Sequence, residues 1–111
     1  MRDSGNSSFS RDENRPLVIR SLRRSSVRKK IAEYLFDIDP SCSYTSEIAY
    51  HVKTTPTNVI GAIRGMDTRY REEESLISLR IVEQVDAGKN NTIKLYKLTD
   101  FGKEIVESLK K

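Results

Sequence analysis

Apolar positions in the first half of the chain follow a helical repeat. One stripe advances by four, three, one and three residues: Val27, Ile31, Tyr34, Leu35 and Ile38. This spacing places the stripe on one face of an amphipathic helix, with Ser25 or Ser26 as its N-cap. Asp39 precedes Pro40 and so avoids the helical region, which predicts that the helix ends there.

The chain before this helix divides into two parts. Residues 1–15 are rich in Ser, Asn, Asp and Arg and offer only Phe9 for burial, which predicts a disordered tail. The next segment, PLVIRSLRR, is predicted to form a short helix with three apolar residues on one side: Leu17, Val18 and Leu22. The length allows one domain, which we place at residues 16–111.

Residues 45–66, TSEIAYHVKTTPTNVIGAIRGM, have the spacing of two short helices joined by a tight turn. Counting from Thr45, apolar or small residues fall at offsets three, four and seven and, after a polar break, at fourteen, seventeen and eighteen: Ile48, Ala49, Val52, Val59, Ala62 and Ile63. Thr55 and Pro56 are a strong start for the second helix, because a hydroxyl caps it and proline at the first position sacrifices no hydrogen bond. The pattern predicts a helix-turn-helix.

The chain beyond this motif changes from helical to strand character. Asp67–Thr68 is the predicted cap of a further helix through RYREEESLISL. The β-branched segments Ile81–Val85 and Ile93–Leu98 then predict a β-hairpin with its tip at Gly88–Asn91. Thr99 caps a last predicted helix with apolar residues on one face: Phe101, Ile105, Val106 and Leu109. These elements predict a mainly α domain with a small β-hairpin, an α+β fold.

This order of elements resembles the winged helix-turn-helix fold. Within it, the chain is similar to small prokaryotic transcriptional regulators of the MarR, ArsR and PadR type, which commonly end their wing with leucine-threonine, two residues and a glycine, as Leu98–Gly102 (LTDFG) does here. The segment RYREEESLISLRIVEQV also looks like that of small archaeal winged-helix proteins. The resemblance covers residues 25–109 and implies double-stranded DNA as the partner. It has one departure, because Arg80 stands where such proteins usually place a glycine between helix and wing.

Charge along the chain also favours a polyanionic partner. The net charge is +4, from 20 basic and 16 acidic residues. Residues 15–30 contain seven basic side chains and no acidic one. Such a cluster is an electrostatic footprint for phosphate, and a solvated helix face explains it about as well. Arg28 and Lys29 are the candidate phosphate contacts in this stretch.

The second helix of the motif supplies the other candidates for DNA contact. A helical wheel places four residues on the face away from the core: Thr57, Gly61, Arg64 and Thr68. Arg64 is expected to bind guanine or phosphate, Asn58 to bind adenine edges, and Thr57 to bind a backbone phosphate. The whole candidate set combines these with the wing tip and the basic stretch: Thr55, Thr57, Asn58, Gly61, Arg64, Thr68, Lys89, Asn90, Asn91, Arg28 and Lys29.

Two of these features have a second interpretation. Gly61 and Gly65 each cost ~1 kcal/mol against alanine inside a helix. They either allow close approach to DNA or to a partner helix, or they mark a slightly irregular helix. The asparagines at the hairpin tip either contact DNA or only provide the turn.

The sequence does not predict an enzyme. Cys42 and His51 are the only nucleophile–base pair that the sequence suggests. Residues of these types at such positions more often have no catalytic role. No CxxC, HExxH or glycine-rich phosphate loop is present, so no cofactor or metal site is predicted. No apolar run approaches the ~20 residues that span a bilayer. The single cysteine fits a reducing cytosol, and a cytoplasmic location is expected.

Two classes of function stay open on this evidence. One is a sequence-specific DNA-binding transcriptional regulator, and the other is a winged-helix module that docks proteins in a larger assembly. The exposed face of a docking module tends to be apolar or acidic, whereas Arg64 and polar residues are expected here, which favours DNA. A homodimer is also expected, because the stripes in PLVIRSL and in the last helix exceed the needs of one small core and symmetry doubles the DNA contacts.

Overall fold

The computed structural model describes residues 11–66, 74–86 and 94–110. These residues form five helices and a three-stranded antiparallel sheet, which confirms the predicted α+β class. The elements in chain order are α1 (Arg11–Arg24), α2 (Ser26–Ile38), β1 (Ser43–Tyr44), α3 (Thr45–Val52), α4 (Pro56–Arg64), β2 (Val82–Asp86), β3 (Lys94–Leu98) and α5 (Asp100–Lys110). No helix among them is both long and apolar enough to cross a membrane.

Helix α2 is the central element of the helical layer and packs against the four other helices. Its start is capped as predicted, because the hydroxyl of Ser25 accepts a hydrogen bond from the N–H of Arg28 at 3.2 Å. Ile31 and Leu35 from its predicted stripe are fully buried, and the other stripe residues are partly buried against the core. The helical repeat therefore identified the buried face correctly.

Helix α1 is longer than predicted and begins at Arg11, inside the segment expected to be a tail. Arg15 donates hydrogen bonds from α1 to Glu104 at 3.0 Å and to Ser108 at 3.3 Å, so α1 is fixed to α5. Residues 1–10 of the predicted tail lie outside the described residues.

The buried side of α1 differs from the expected one at a single position. Val18 and Leu22 are fully buried, but Leu17 is 53% exposed. Val18 and Leu22 lie about one helical turn apart, whereas Leu17 is rotated by roughly 100° from Val18 and points away from the core. The buried face of α1 is completed by Ser21 instead.

The apolar stripes at the two ends of the chain cover each other within one molecule. Helices α1 and α5 are in contact, and Val18, Leu22, Ile105 and Val106 are all fully buried in the single chain. The apolar surplus that led us to expect a homodimer is therefore not found on these faces.

The segment between α4 and β2 differs from the predicted helix in its described part. Residues 74–80 form turns that dock on the end of α4. The N–H groups of Leu76 and Ile77 donate to the carbonyls of Ala62 and Ile63, each at 3.0 Å. These carbonyls belong to the last turn of α4 and have no partner inside that helix, so the turn segment satisfies them.

The β2–β3 pair confirms the antiparallel pairing predicted for the hairpin. Its register runs from Val82 opposite Leu98 to Asp86 opposite Lys94. Strand β2 begins one residue later than predicted, β3 is described from Lys94 onward, and the expected tip lies outside the described residues. Strand β1, which was not predicted, adds Ser43 opposite Tyr96 on the other side of β3.

The base of the β2–β3 pair is closed by the LTDFG motif. The hydroxyl of Thr99 donates to the carbonyls of Arg80 and Ile81 and accepts a hydrogen bond from the N–H of Gly102 at 2.8 Å, which caps α5. The N–H of Thr99 donates to the carbonyl of Ile81 at 3.0 Å. Arg80 has φ 63°, so it adopts the left-handed conformation that the expected glycine would take there.

Helix α5 is also held at its side by an ion pair with the end of α2. The ammonium of Lys103 lies 3.2 Å from the carboxylate of Asp39. The hydrogen bond that the ammonium donates to Asp39 raises the pKa of Lys103 above its usual 10.5. The stabilisation that comes from the Lys103 ammonium is therefore fully present below the usual pKa of lysine and is lost as the pH rises through the raised value.

Gly102→Ala is expected to destabilise the protein, against the usual helix preference for alanine. An added Cβ would overlap the carbonyl oxygen of Ile81 deep inside van der Waals contact, so α5 would have to move away from the sheet. Overpacking of this kind costs about 1–3 kcal/mol. Urea unfolding measures the loss, with Glu107→Ala at an exposed α5 position as the matched control. A variant as stable as the wild type would show that α5 and Ile81 do not approach so closely.

Candidate functional site

Helices α3 and α4 meet through a turn that the sequence predicted in detail. All six spaced apolar or small residues are buried: Ile48, Ala49, Val52, Val59, Ala62 and Ile63. Lys53 ends α3 in the left-handed conformation at φ 62°. The hydroxyl of Thr55 accepts a hydrogen bond from the N–H of Asn58 at 3.1 Å, and Pro56 follows at the first helical position. The predicted spacing and the predicted cap of α4 are therefore both confirmed.

The outward face of α4 consists of Pro56, Thr57, Ile60 and Arg64. We call these four residues the α4 face. Ile60 is 43% exposed and lies at its middle, since it follows Thr57 by three residues and precedes Arg64 by four. Sequence reasoning missed Ile60. Its position in the sequence could have indicated its exposure, because Ile60 lies beside the apolar stripe of amphipathic helix α4 and not within it.

Gly61 is not on this face, contrary to the expectation. The structure places it in the buried set of α4. Because Gly61 has only a hydrogen where other residues have a side chain, the neighbouring side chains shield it from solvent. A position opposite the core on a helical wheel therefore does not make it exposed. The expected exposure of Gly61 on the outward face is therefore wrong.

Gly65 was considered as a residue inside a helix, but it lies just beyond the end of α4. Helix α4 ends at Arg64, and Gly65 is its C-cap with φ 96° and ψ 150°. The N–H of Gly65 donates to the carbonyl of Gly61 at 2.8 Å. A residue with a Cβ rarely adopts this φ, so glycine here ends the helix and brings no penalty to its interior.

Arg64 links the end of α4 to the sheet. Its Nε donates to the hydroxyl of Tyr96 at 3.1 Å, and its Nη2 donates to the amide oxygen of Gln84. The guanidinium carbon also lies 5.9 Å from the centre of the Tyr96 ring. An arginine has five N–H donors, so this anchoring leaves donors for a ligand while it restricts where the guanidinium points.

Asn58 is turned toward the connection with α3. It is half-buried, and its Nδ2 donates to the hydroxyl of Thr54 at 3.0 Å. Thr55 is exposed, but its hydroxyl is used in the cap. Of the predicted polar contacts in this region, Thr57 and Arg64 therefore lie on the outward face.

Arg28 is buried, which corrects its expected place on a basic surface. Its side chain is 5% exposed and its guanidinium lies 3.5 Å from the carboxylate of Glu74. Glu74 also lies 3.9 Å from Arg24, so this acidic residue joins the turn before β2 to α1 and α2. Burial removes Arg28 from the set of surface phosphate contacts, and Lys29 beside it is half-buried. The other predicted contacts, Thr68, Lys89, Asn90 and Asn91, lie outside the described residues.

The stretch of chain that forms α4 and the turn before it contains no carboxylate. Residues 48–66 include His51, Lys53 and Arg64 but neither Asp nor Glu. Glu47 precedes this stretch, and its carboxylate accepts a hydrogen bond from the buried hydroxyl of Ser43 at 2.6 Å. A ligand that approaches α4 therefore meets cationic and neutral groups along the helix and the turn that leads into it.

An aromatic cluster covers the outer side of α3. The ring of His51 stacks on Tyr34 with 4.8 Å between centroids, and Tyr50 meets His51 edge-on at 5.3 Å. Tyr50 is 79% exposed. No group of three or more His, Cys, Asp or Glu side chains able to hold a metal occurs in the part of the chain that the structure describes.

Comparison with known proteins assigns the family. A family model described as EarA-like matches residues 18–109, so the chain belongs to the EarA-like family. An uncharacterized protein of Methanocaldococcus jannaschii is 48% identical over 95 residues, which cover 86% of this chain and 83% of that protein. No solved structure matches the chain.

The link between Arg64 and Tyr96 is tested by a double-mutant cycle on the free energy of unfolding. Arg64→Ala and Tyr96→Phe should show a coupling of about 0.5–1.5 kcal/mol, the usual net value of one hydrogen bond. Tyr44→Phe is the matched control, because it removes a hydroxyl from a tyrosine on β1 that is partly exposed. Additive effects for Arg64 and Tyr96 would mean that the Tyr96 hydroxyl does not hold the guanidinium.

Proposed function

We propose that this member of the EarA-like family is a winged helix-turn-helix protein that binds double-stranded DNA and regulates transcription. Helix α4 is its recognition helix, and the β2–β3 pair is its wing. The observation that carries the proposal is the α4 face, which projects from a stretch of 19 residues, 48–66, without a single carboxylate. Such a face suits the major groove, where a helix meets base edges between two rows of phosphates.

The position of Arg64 supports this docking arrangement. It lies on the α4 face and is held by Tyr96 and Gln84 from the two strands. A guanidinium restrained in this way loses less side-chain entropy when it binds guanine or phosphate. The same hydrogen bonds fix the wing beside the recognition helix, so both elements meet the duplex as one unit.

A protein-docking module is the second candidate, and exposed apolar side chains support it. Tyr50 is 79% exposed on α3 and Ile60 is 43% exposed on α4. Apolar groups of this kind are common at the centre of protein interfaces. The two candidates differ in their response to salt, because counterion release makes DNA affinity fall steeply with ionic strength.

We also propose that the protein forms a homodimer. Symmetry would double the contacts of a small domain with DNA. Since the facing sides of α1 and α5 are buried within one chain, a dimer contact would need another surface, such as the side of α1 that exposes Leu17.

Affinity for generic duplex DNA is expected to fall linearly with salt on a double-logarithmic plot. Lys53 is exposed in the turn that leads into α4, and Lys53→Ala should lower the slope by about one if it contacts a phosphate. Lys110→Ala, at the far end of α5, is the matched control and should leave the slope unchanged. Binding that hardly responds to salt would contradict DNA as the partner and favour protein docking.

Arg64→Ala is expected to weaken binding to a specific DNA site by roughly 1–3 kcal/mol. The reason is the loss of a guanidinium that is both on the α4 face and held in place by the strands. Affinity for a selected site, compared with generic duplex DNA, separates a base contact from a phosphate contact. Equal binding by the variant and the wild type would rule out the proposed orientation of α4.

A further inference from the structure

Ile60 is an aliphatic side chain that the core of the protein does not use. The neighbouring aliphatic residues of α4, Val59 and Ile63, are 0% and 1% exposed, whereas Ile60 is 43% exposed. It is the one large apolar side chain exposed on α4, all of whose residues are described. Folding of the single chain therefore does not explain why the middle of the α4 face is apolar.

The major groove contains one apolar group that such a side chain recognises. Thymine carries a methyl group at C5, and among the base edges in the major groove this methyl is the feature read by apolar contact. An aliphatic residue midway between Thr57 and Arg64 would meet base edges while the hydroxyl and the guanidinium bind polar groups on either side.

We infer that Ile60 packs against the 5-methyl group of a thymine and makes α4 select T at one position of its site. The inference rests on the proposed DNA-binding function and specifies one base of the site that the protein would bind. The neighbours of Ile60 favour DNA, rather than the groove of a partner protein, as the molecule that α4 contacts. Ile60 is flanked by Thr57 and Arg64, whereas an apolar docking patch would be expected to continue along the helix.

Removal of the methyl group alone tests the contact. A duplex is first selected from a random-sequence library by its binding to the full chain. Each thymine is then replaced in turn by deoxyuridine, which keeps the hydrogen-bonding groups of the base and lacks only the methyl. Burial of one methyl predicts that one of these replacements weakens wild-type binding about three- to fivefold.

Variants at position 60 assign this loss to Ile60. Ile60→Ala should bind the thymine and deoxyuridine duplexes equally at that position, while Ile60→Val, which keeps a branched aliphatic side chain, should still prefer thymine. Thr57→Ser is the matched control on the same face and should keep the full preference. Because position 60 is exposed, circular dichroism should show the same fold for all variants.

The outcomes separate this inference from the proposed function. Wild-type binding that is unaffected by every deoxyuridine would overturn the methyl contact and leave DNA binding intact. A preference for thymine that persists in Ile60→Ala would also overturn it, since another residue would then read the methyl. Failure of the library to give any enriched, salt-sensitive duplex would overturn the proposed function itself and the inference with it.

Discussion

The hydroxyl of Thr99 makes the contact on which the arrangement of sheet and helices depends. It joins the turn before β2, through the carbonyls of Arg80 and Ile81, to the first turn of α5 through the N–H of Gly102. One side chain thereby sets where the strands leave the helical layer and where the last helix begins. Thr99 and Gly102 act together, because the helix can approach Ile81 this closely only where it has no Cβ.

A second contact holds the turn segment, residues 74–80, against the helices. Glu74 sits between Arg24 and Arg28, and Arg28 is almost completely buried. Burial removes water from the guanidinium, and without a carboxylate beside it this loss of hydration would be largely uncompensated. The pairing is therefore needed for the turn to pack on α1 and α2. The turn is thus held by charge at Glu74 and by backbone hydrogen bonds at Leu76 and Ile77, and both contacts determine where β2 starts.

Local patterns in the sequence predicted the parts of the fold that local physics determines. The repeat in α2, the spacing of α3 and α4 and the Thr55 cap depend on residues only a few positions apart, and each was found as expected. The antiparallel strands were likewise recognised from β-branched residues on either side of a turn-forming cluster.

The features that the sequence did not reveal depend on contacts between distant segments. Residues 74–80 have helical composition but form turns, and the N–H groups of Leu76 and Ile77 bond to the end of α4. Arg28 belongs to a basic run, yet Glu74, which is 46 positions away, takes it into the interior. Exposure of Ile60 and burial of Gly61 likewise depend on what surrounds α4, and a helical wheel contains no such information. The two helices and the turn between them were therefore located from the sequence, whereas the outward face of α4 was predicted without Ile60.

In α4, the residues that hold the helix in the fold are largely separate from those on its outward face. Gly65 ends it, Leu76 and Ile77 satisfy its last carbonyls, and Val59 and Ile63 fix it to the core, and none of these contacts uses Thr57 or Ile60. Arg64 is the exception, because it faces outward and also binds the strands. A change at Ile60 or Thr57 is therefore expected to cost little stability, so that an effect on the proposed binding could be assigned to the contact itself. A change at Arg64 must be judged by both measurements, since the residue belongs to the scaffold and to the surface at once.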